Sequence, residues 1–145
     1  SYTLAQPLTV YFLGKSVTVT AGDTLFDGVT SRCRCRQIAS NVVRIVAGTD
    51  TASMNNANFT DNKYAVIASV FNSTASVLQI NNTAPVSTDI GTNGILGGWT
   101  LGCRGDIAAF SNIQVKEIII YGSAHGANTR RQVINYLAQV GNISV

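Results

Sequence analysis

The stretch RCRCRQIASNVVRIVAG, residues 32–48, decides the fold class because its side chains alternate with a period of two. In an extended chain Cys33 and Cys35 fall on one side and the intervening arginines fall on the other. A helix would scatter these side chains around its circumference. Because the polar turn at 39–41 separates this run from VVRIVAG, the stretch predicts a β-hairpin with one apolar face and one strongly basic face.

The composition of the chain agrees with a β-rich domain. Of its 145 residues 46% are hydrophobic and only 12% are charged, and Thr, Ser, Asn and Val are frequent, which favours an all-β domain over a charged helical bundle. The net charge of +3 is too mild to indicate a nucleic-acid partner. No apolar run approaches the length of a membrane span, so we predict no membrane insertion.

Further short runs, rich in β-branched and aromatic residues and bounded by turn signals, extend the strand pattern along the chain. They are LTVYFLG at 8–14, SVTVTAG at 16–22, YAVIASVF at 64–71, VLQIN at 77–81, WTLGC at 99–103 and VKEIIIYG at 115–122. YAVIASVF is apolar at both alternating sets of positions, which predicts a central strand that is covered on both faces.

Only the C-terminal end has a helical period. Apolar residues recur at i, i+3, i+4 and i+7, which predicts an amphipathic helix that ends near Gly141. The residues of this stripe are Val133, Tyr136, Leu137 and Val140, and Asn128 or Thr129 is the predicted N-cap.

The cysteines do not form a recognisable metal motif. A structural zinc site needs about four Cys or His ligands, and the chain has three cysteines and one histidine, His125. We expect Cys33 and Cys35 to be buried free thiols, while a disulfide from either to Cys103 stays open. Aspartates in the loops at 23–27 and at Asp89 could help to bind calcium, which takes six to eight oxygens, but the sequence shows no such cluster. We predict no cofactor, and calcium stays an unsupported alternative.

The carboxylates also argue against an enzyme. Glycoside hydrolysis generally needs two carboxylates that flank one bond, and Glu117 is the only glutamate. A pair would have to include aspartates from Asp23, Asp27, Asp50, Asp61, Asp89 and Asp106. His125 lies two residues from Ser123 in a loop, which is no triad geometry, so we expect a solvated histidine. We therefore assign no catalytic residues.

The arginines of the hairpin are the main binding candidates. If the cysteines face the core, Arg32, Arg34 and Arg36 face outward, and Arg44 on the paired strand joins them. Such a row is favoured when acidic groups lie opposite, so its partner would be the carboxylates of a neighbouring subunit, an acidic polysaccharide or a lipopolysaccharide phosphate. The alternative is a solvated face that discourages aggregation. Trp99 is a possible sugar-stacking residue, although alternation favours packing in the core.

The order of motifs resembles the laminin-G-like domains of bacterial and phage proteins, within the concanavalin A-like lectin/glucanase superfamily. The resemblance rests on AVIASVFNSTASVLQINNT, on WTLGC and on VKEIIIYG followed by NTRRQVINYLAQVGNI, and it covers roughly residues 6 to 143. It implies a two-sheet antiparallel jelly roll. With the all-β composition and the C-terminal helical period, we expect an all-β fold with one short C-terminal helix, and the length fits one domain over 1–145, either lacking N-terminal strands or forming part of a longer protein. It also implies sugar binding, adhesion or virion architecture.

Two departures from the resembling family shape the functional expectation. Members usually carry further strands before the position where this sequence begins, and the glucanase branch carries closely spaced acidic residues that this chain lacks. We expect a non-catalytic binding or structural module in a bacteriophage virion, as a tail, fibre or capsid-surface protein. The alternatives are a bacterial surface or secreted carbohydrate-binding module and, less favoured, a glycan hydrolase. An uncovered strand edge near residues 8 to 20 would need a homo-oligomer or another virion subunit beside it.

Overall fold

The computed structural model describes residues 2–145, in which ten strands and one α-helix are present. In chain order these are β1 (Leu8–Ser16), β2 (Thr24–Gly28), β3 (Arg34–Ala39), β4 (Val42–Val46), β5 (Ser53–Asn56), β6 (Ala65–Phe71), β7 (Ser76–Ile80), β8 (Val86–Thr88), β9 (Trp99–Leu101), β10 (Ile113–Tyr121) and α1 (Ala127–Gly141).

The strands form two five-stranded antiparallel sheets that pack face to face. The first sheet has the order β10-β1-β6-β7-β8 and the second has the order β5-β4-β3-β2-β9. Their inner faces share one apolar core that includes Phe12, Phe26, Phe59 and Phe71. Burial of each such side chain contributes about 1.5–3 kcal/mol to stability. The predicted all-β fold of two antiparallel sheets with one C-terminal helix is confirmed.

The hairpin predicted from the alternating stretch is also confirmed. Strands β3 and β4 pair in antiparallel register, with Cys35 opposite Ile45 and Ala39 opposite Val42. Ser40 and Asn41 make the turn, in which Asn41 has a φ of 59°, a left-handed conformation that asparagine tolerates better than most residues.

Strand β6 is buried along its whole length, as its apolar sequence predicts. It pairs with β1 on one side and β7 on the other. Its inner face joins the core between the sheets, whereas Val66 and Ala68 on its outer face pack against Ile134 and Leu137 of α1. The helix therefore makes a third layer on the outside of the first sheet.

The strand predicted at 16–22 is wrong. Strand β1 ends at Ser16, and the chain then turns so that the N–H of Asp23 donates to the carbonyl of Thr20 while the Asp23 carboxylate accepts from the N–H of Thr20. The alternating Val and Thr residues stay at least partly exposed because neither sheet covers them. Strand β2 (Thr24–Gly28), which the sequence did not indicate, follows instead, and the short strands β5 and β8 were likewise missed.

The expectation of an uncovered edge near residues 8 to 20 is corrected as well. Strand β1 lies inside the first sheet, between β10 and β6, so both of its edges carry backbone hydrogen bonds. The edge strands are β10 and β8 in the first sheet and β5 and β9 in the second. Strand β1 therefore needs no covering subunit at either edge.

Helix α1 has a different buried face from the predicted stripe. Its buried residues are Arg130, Ile134, Leu137, Ala138 and Gly141, while Tyr136 and Val140 are about half exposed. The helix is also capped by Gly126 without a side-chain hydrogen bond, in place of Asn128 or Thr129. The buried face differs from the predicted one because it includes a long basic residue, Arg130, and hydrophobic periodicity cannot assign an arginine to the core-facing side.

Candidate functional site

The two cysteines of the alternating stretch lie in the core, as predicted. Cys33 and Cys35 are fully buried and unbridged, and the partly buried Cys103 is also a free thiol. Burial raises the pKa of the Cys33 and Cys35 thiols far above the ordinary value. Both therefore stay protonated and act as small apolar side chains.

On the opposite side of this strand, two members of the arginine row are neutralised by the chain itself. Arg32 and Arg36 both reach Asp50, at 3.2 Å and 2.9 Å. Arg44 donates from Nε to the side-chain oxygen of Asn55 at 2.7 Å. The acidic group expected opposite the arginine row is therefore Asp50 of the same chain, whose carboxylate is half exposed.

Arg34 contradicts the predicted outward exposure. It is only 3% exposed, because the segment after β9 folds across its side of the second sheet. Its Nε lies 3.2 Å from Oδ2 of Asp27, without the alignment of a hydrogen bond. Burial lowers the pKa of Arg34, and Asp27 opposes that effect. Arg34 is therefore half of a buried ion pair.

Asp27 connects three backbone segments through its carboxylate. Oδ1 accepts from the N–H groups of Gly28 and Cys33 at 2.9 Å and 3.2 Å, and Oδ2 accepts from the N–H of Gly105 at 3.3 Å. Burial raises the pKa of Asp27, while Arg34 and these N–H groups lower it. A Cβ at Gly105 would collide with the carbonyl oxygen of Gly28, so only glycine allows this close approach.

These groups build the Arg34 cleft, a shallow depression of about 180 Å³ on the outer side of the second sheet. Residues 27–32, Arg34 and residues 104–106 line it. At its rim Arg104 donates from Nε and Nη2 to the two carboxylate oxygens of Asp106, the first at 2.7 Å. The hydrogen bond from Arg104 lowers the pKa of Asp106. The cleft therefore presents charged donors and acceptors side by side at its exposed rim.

Trp99 lies beside the cleft in the chain but does not line it. Its backbone pairs with Gly28, and its half-buried ring packs against Phe26 at a centroid distance of 5.4 Å. This position is on the core side of the sheet. Of the residues proposed from the sequence, Arg32 and Arg34 line the cleft, whereas Arg36, Arg44 and Trp99 do not.

Sequence reasoning missed a second polar cluster, around His125. The expectation of a solvated loop histidine is wrong, because the ring is partly buried, shares a hydrogen bond of 2.9 Å with the hydroxyl of Tyr11 and lies 4.3 Å from the ring of Tyr121. Burial, and then the charge of Arg130, lower the pKa of His125. Tyr11 is an outward position of β1, but no sequence signal pairs it with a loop 114 residues away.

Within residues 2–145, no group of three or more His, Cys, Asp and Glu side chains is arranged to hold a metal ion. Within the same range, no helix is long and apolar enough to cross a membrane.

No protein-family model and no curated protein matches this sequence. Solved structures of botulinum neurotoxin binding domains do share its fold. A botulinum neurotoxin DC binding domain in complex with SialylT matches with a TM-score of 0.62 and 14% identity, over 90% of this chain and 35% of that chain. The serotype D/C binding domain matches with a TM-score of 0.60 and 15% identity, over 90% and 36%.

A third structure concerns botulinum neurotoxin type C, whose cell entry depends on interaction with two ganglioside molecules. It matches with a TM-score of 0.57 and 13% identity, over 90% of this chain and 35% of that chain. This chain therefore spans only 35% or 36% of the chains in these three structures. At such low identity the likeness shows the fold, a two-sheet β-sandwich.

Proposed function

We propose that this protein is a non-catalytic binding module whose Arg34 cleft recognises a glycan. The observation that carries the proposal is the convergence of charged groups in one solvent-facing depression, where Asp27 holds the backbone and the exposed rim pair Arg104 and Asp106 faces solvent. Converging polar groups of this kind orient a ligand and give specificity.

The chemistry of the rim suits sugar hydroxyls. A hydroxyl both donates and accepts hydrogen bonds, and Arg104 and Asp106 supply donors and acceptors side by side. Arg32 adds a guanidinium that is about one-third exposed, and Val29, 41% exposed, adds an apolar contact at the wall. A sugar ring has both kinds of surface, so one face of the ring meets Val29 while its hydroxyls meet the charged rim.

The comparisons support a binding role without assigning one. Two of the neighbours are binding domains, one of them solved with SialylT, and a third concerns a neurotoxin whose cell entry depends on gangliosides. Since this chain spans only 35% of either structure, the glycan is proposed here on the chemistry of its own cleft.

The biological setting of the module rests on the sequence resemblance alone. That resemblance to laminin-G-like domains is the ground for proposing a bacteriophage virion, with a bacterial surface or secreted protein as the alternative. Association with other virion subunits or with further copies of the chain stays part of this proposal. Its contact would use an edge other than β1, since β1 is paired on both sides.

One observation favours testing hydrolysis as a second function. Asp27 and Asp106 line the same cleft, and their pKa values are displaced in opposite directions, as in acid and base pairs of glycosidases. Against this, both oxygens of Asp27 accept backbone hydrogen bonds, and Asp106 is closed onto Arg104. Neither carboxylate is free to protonate a leaving group or to attack a sugar. We expect no reducing ends from any glycan that binds, with Asp106→Asn indistinguishable from wild type in that assay.

A glycan array with matched variants tests the binding function. Wild-type protein should bind a defined set of glycans, and Arg104→Gln should weaken that binding about tenfold by removing one charged hydrogen-bond donor. Lys63→Gln removes the same charge from an exposed site outside the cleft and should bind like wild type. An array that stays silent while the protein self-associates stably would overturn the proposal in favour of an architectural role.

A further inference from the structure

A second concave site, the Arg130 pocket, lies where the start of α1 meets the end of β7. It has a volume of about 230 Å³ and is lined by Gln79 and Asn82 on one side and by Asn128, Arg130 and Arg131 on the helix side. This volume is several times the ~30 Å³ that one water molecule occupies in the liquid. A polyatomic ion therefore fits inside it.

Arg130 is a buried cation that has no carboxylate partner among residues 2–145. Its exposure is only 7%, yet its hydrogen bonds go to neutral acceptors, from Nε to Oε1 of Gln79 at 3.0 Å and from Nη1 to the carbonyl of His125 at 2.9 Å. The ion pairs found within residues 2–145 all involve other arginines. Nη2 is the nitrogen left to donate to a ligand. A buried charge is costly unless an opposite charge accompanies it.

The helix adds further positive potential to the same pocket. The first turn of α1 contains no acidic residue, and Gly126 provides no side-chain cap, so the first N–H groups are open. The positive end of the helix dipole thus faces a pocket that already holds Arg130 and the exposed Arg131. Helices normally place acidic groups at this end, and here two cations occupy it.

We propose that the Arg130 pocket binds a phosphate or sulfate group, with Arg130 and Arg131 as its cationic ligands. The ion completes the charge that the protein leaves unbalanced, because it accepts from Nη2 of Arg130, from the guanidinium of Arg131 and from the open N–H groups of α1. The pocket lies on the outer side of the first sheet, whereas the Arg34 cleft lies on the second. The two proposals therefore succeed or fail separately.

The test is an NMR titration of the full chain with sodium sulfate and, separately, sodium phosphate, at constant ionic strength held with sodium chloride. Saturable shifts should concentrate at residues 127–131 and at Gln79 and Asn82. Arg131→Gln, at an exposed position that leaves the fold intact, should weaken binding about tenfold. Arg44→Gln removes an arginine from the second sheet and should bind like wild type.

Shifts that do not saturate, or that are the same in Arg131→Gln and Arg44→Gln, would overturn the proposal. Two further arms identify the source of the group. Tighter binding of a sulfated disaccharide than of free sulfate, lost in Arg131→Gln, assigns a glycan ester. Sedimentation with vesicles that contain a phosphoinositide, but not with phosphatidylcholine vesicles, assigns a lipid headgroup. Saturation by the free ions alone assigns an inorganic anion.

Discussion

Arg34 and Arg130 are both buried, one behind each sheet, but they are balanced in different ways. Arg34 faces the carboxylate of Asp27, whose oxygens also accept three backbone N–H groups. Arg130 faces an amide oxygen and a carbonyl. The first arginine belongs to a closed structural unit that positions the loops of a cleft, whereas the second is left with a net charge beside an open pocket. Buried charges of the same type thus serve as scaffold in one place and as a ligand site in the other.

Breaking the closed pair should have the largest effect. Asp27→Asn leaves Arg34 buried without a counter-charge, which should lower the free energy of unfolding by about 3–5 kcal/mol. Urea denaturation measures the loss. The double variant Asp27→Asn with Arg34→Met should regain much of it, because the uncompensated charge is then gone. A single variant as stable as wild type would mean that the ion pair is not a structural unit.

Removing the unbalanced arginine should cost less. Arg130→Gln gives up the hydrogen bonds to Gln79 and to the carbonyl of His125 but also removes a desolvated charge, so a loss of about 1–3 kcal/mol is expected. Urea denaturation in a chloride buffer without sulfate or phosphate compares this loss with that of Asp27→Asn. A loss larger than that of Asp27→Asn would show that Arg130 is already balanced within the fold and would contradict the contrast.

The exposed ion pairs of Asp50 should contribute less to stability than either buried arginine. Asp50→Asn removes the carboxylate shared by Arg32 and Arg36, but this carboxylate is 45% exposed, so solvent screens the interaction. We expect a change in the free energy of unfolding of at most about 1 kcal/mol. If the change in the urea midpoint approached that of Asp27→Asn, burial would not be what distinguishes the pairs.

The charge of Arg130 should also appear in the pH dependence of stability. Because burial and Arg130 depress the pKa of His125 below 6.5, the folded state favours the neutral ring. The stability that the neutral His125 ring contributes is fully present above the pKa of the unfolded state. It is lost as the pH falls through the pKa of the folded state. The free energy of unfolding should therefore decline as the pH is lowered from about 8 to about 5, a range in which few other groups titrate.

His125→Gln is the control for that decline, since His125 is the chain's one histidine. The variant should flatten the pH profile, and Arg130→Gln should flatten it in part. A wild-type profile that rises toward acid pH would contradict the direction of the shift. We expect this effect to be the smallest of the four.

Features set by neighbouring residues could be predicted from the sequence. Features that depend on coverage by a distant segment of the chain could not. The alternation correctly predicted that Cys33 and Cys35 are buried, because the apolar face of a strand packs against the core in any two-sheet fold. It could not show that residues 104–106, about 70 positions later in the chain, would cover Arg34. Strand β2 escaped detection because Asp27-Gly28 has the composition of a turn, and only its buried partners make an aspartate acceptable inside a strand.

The candidate site could be predicted only in part, for the same reason. Arg32 and Arg34 were identified from their spacing, although Arg34 was placed in solvent. Arg104 and Asp106 come together within a short loop, where nothing in the pattern indicates a cleft. Arg130 could not be identified because a single arginine at a helical position gives no signal of burial, and its acceptor Gln79 lies 51 residues earlier.

The position of β1 between β6 and β10 has a consequence for synthesis of the chain. Thr9 pairs with Val70 on one side and with Tyr121 on the other, so β1 cannot be fully paired until a strand that is synthesised much later is available. On the ribosome β1 can join the hairpin of β6 and β7 early, but one of its edges stays open until Tyr121 has emerged. Domains dominated by such distant pairings fold slowly and expose unpaired edges meanwhile. Nascent chains released before β10 is complete should therefore be the species that aggregate and require chaperones.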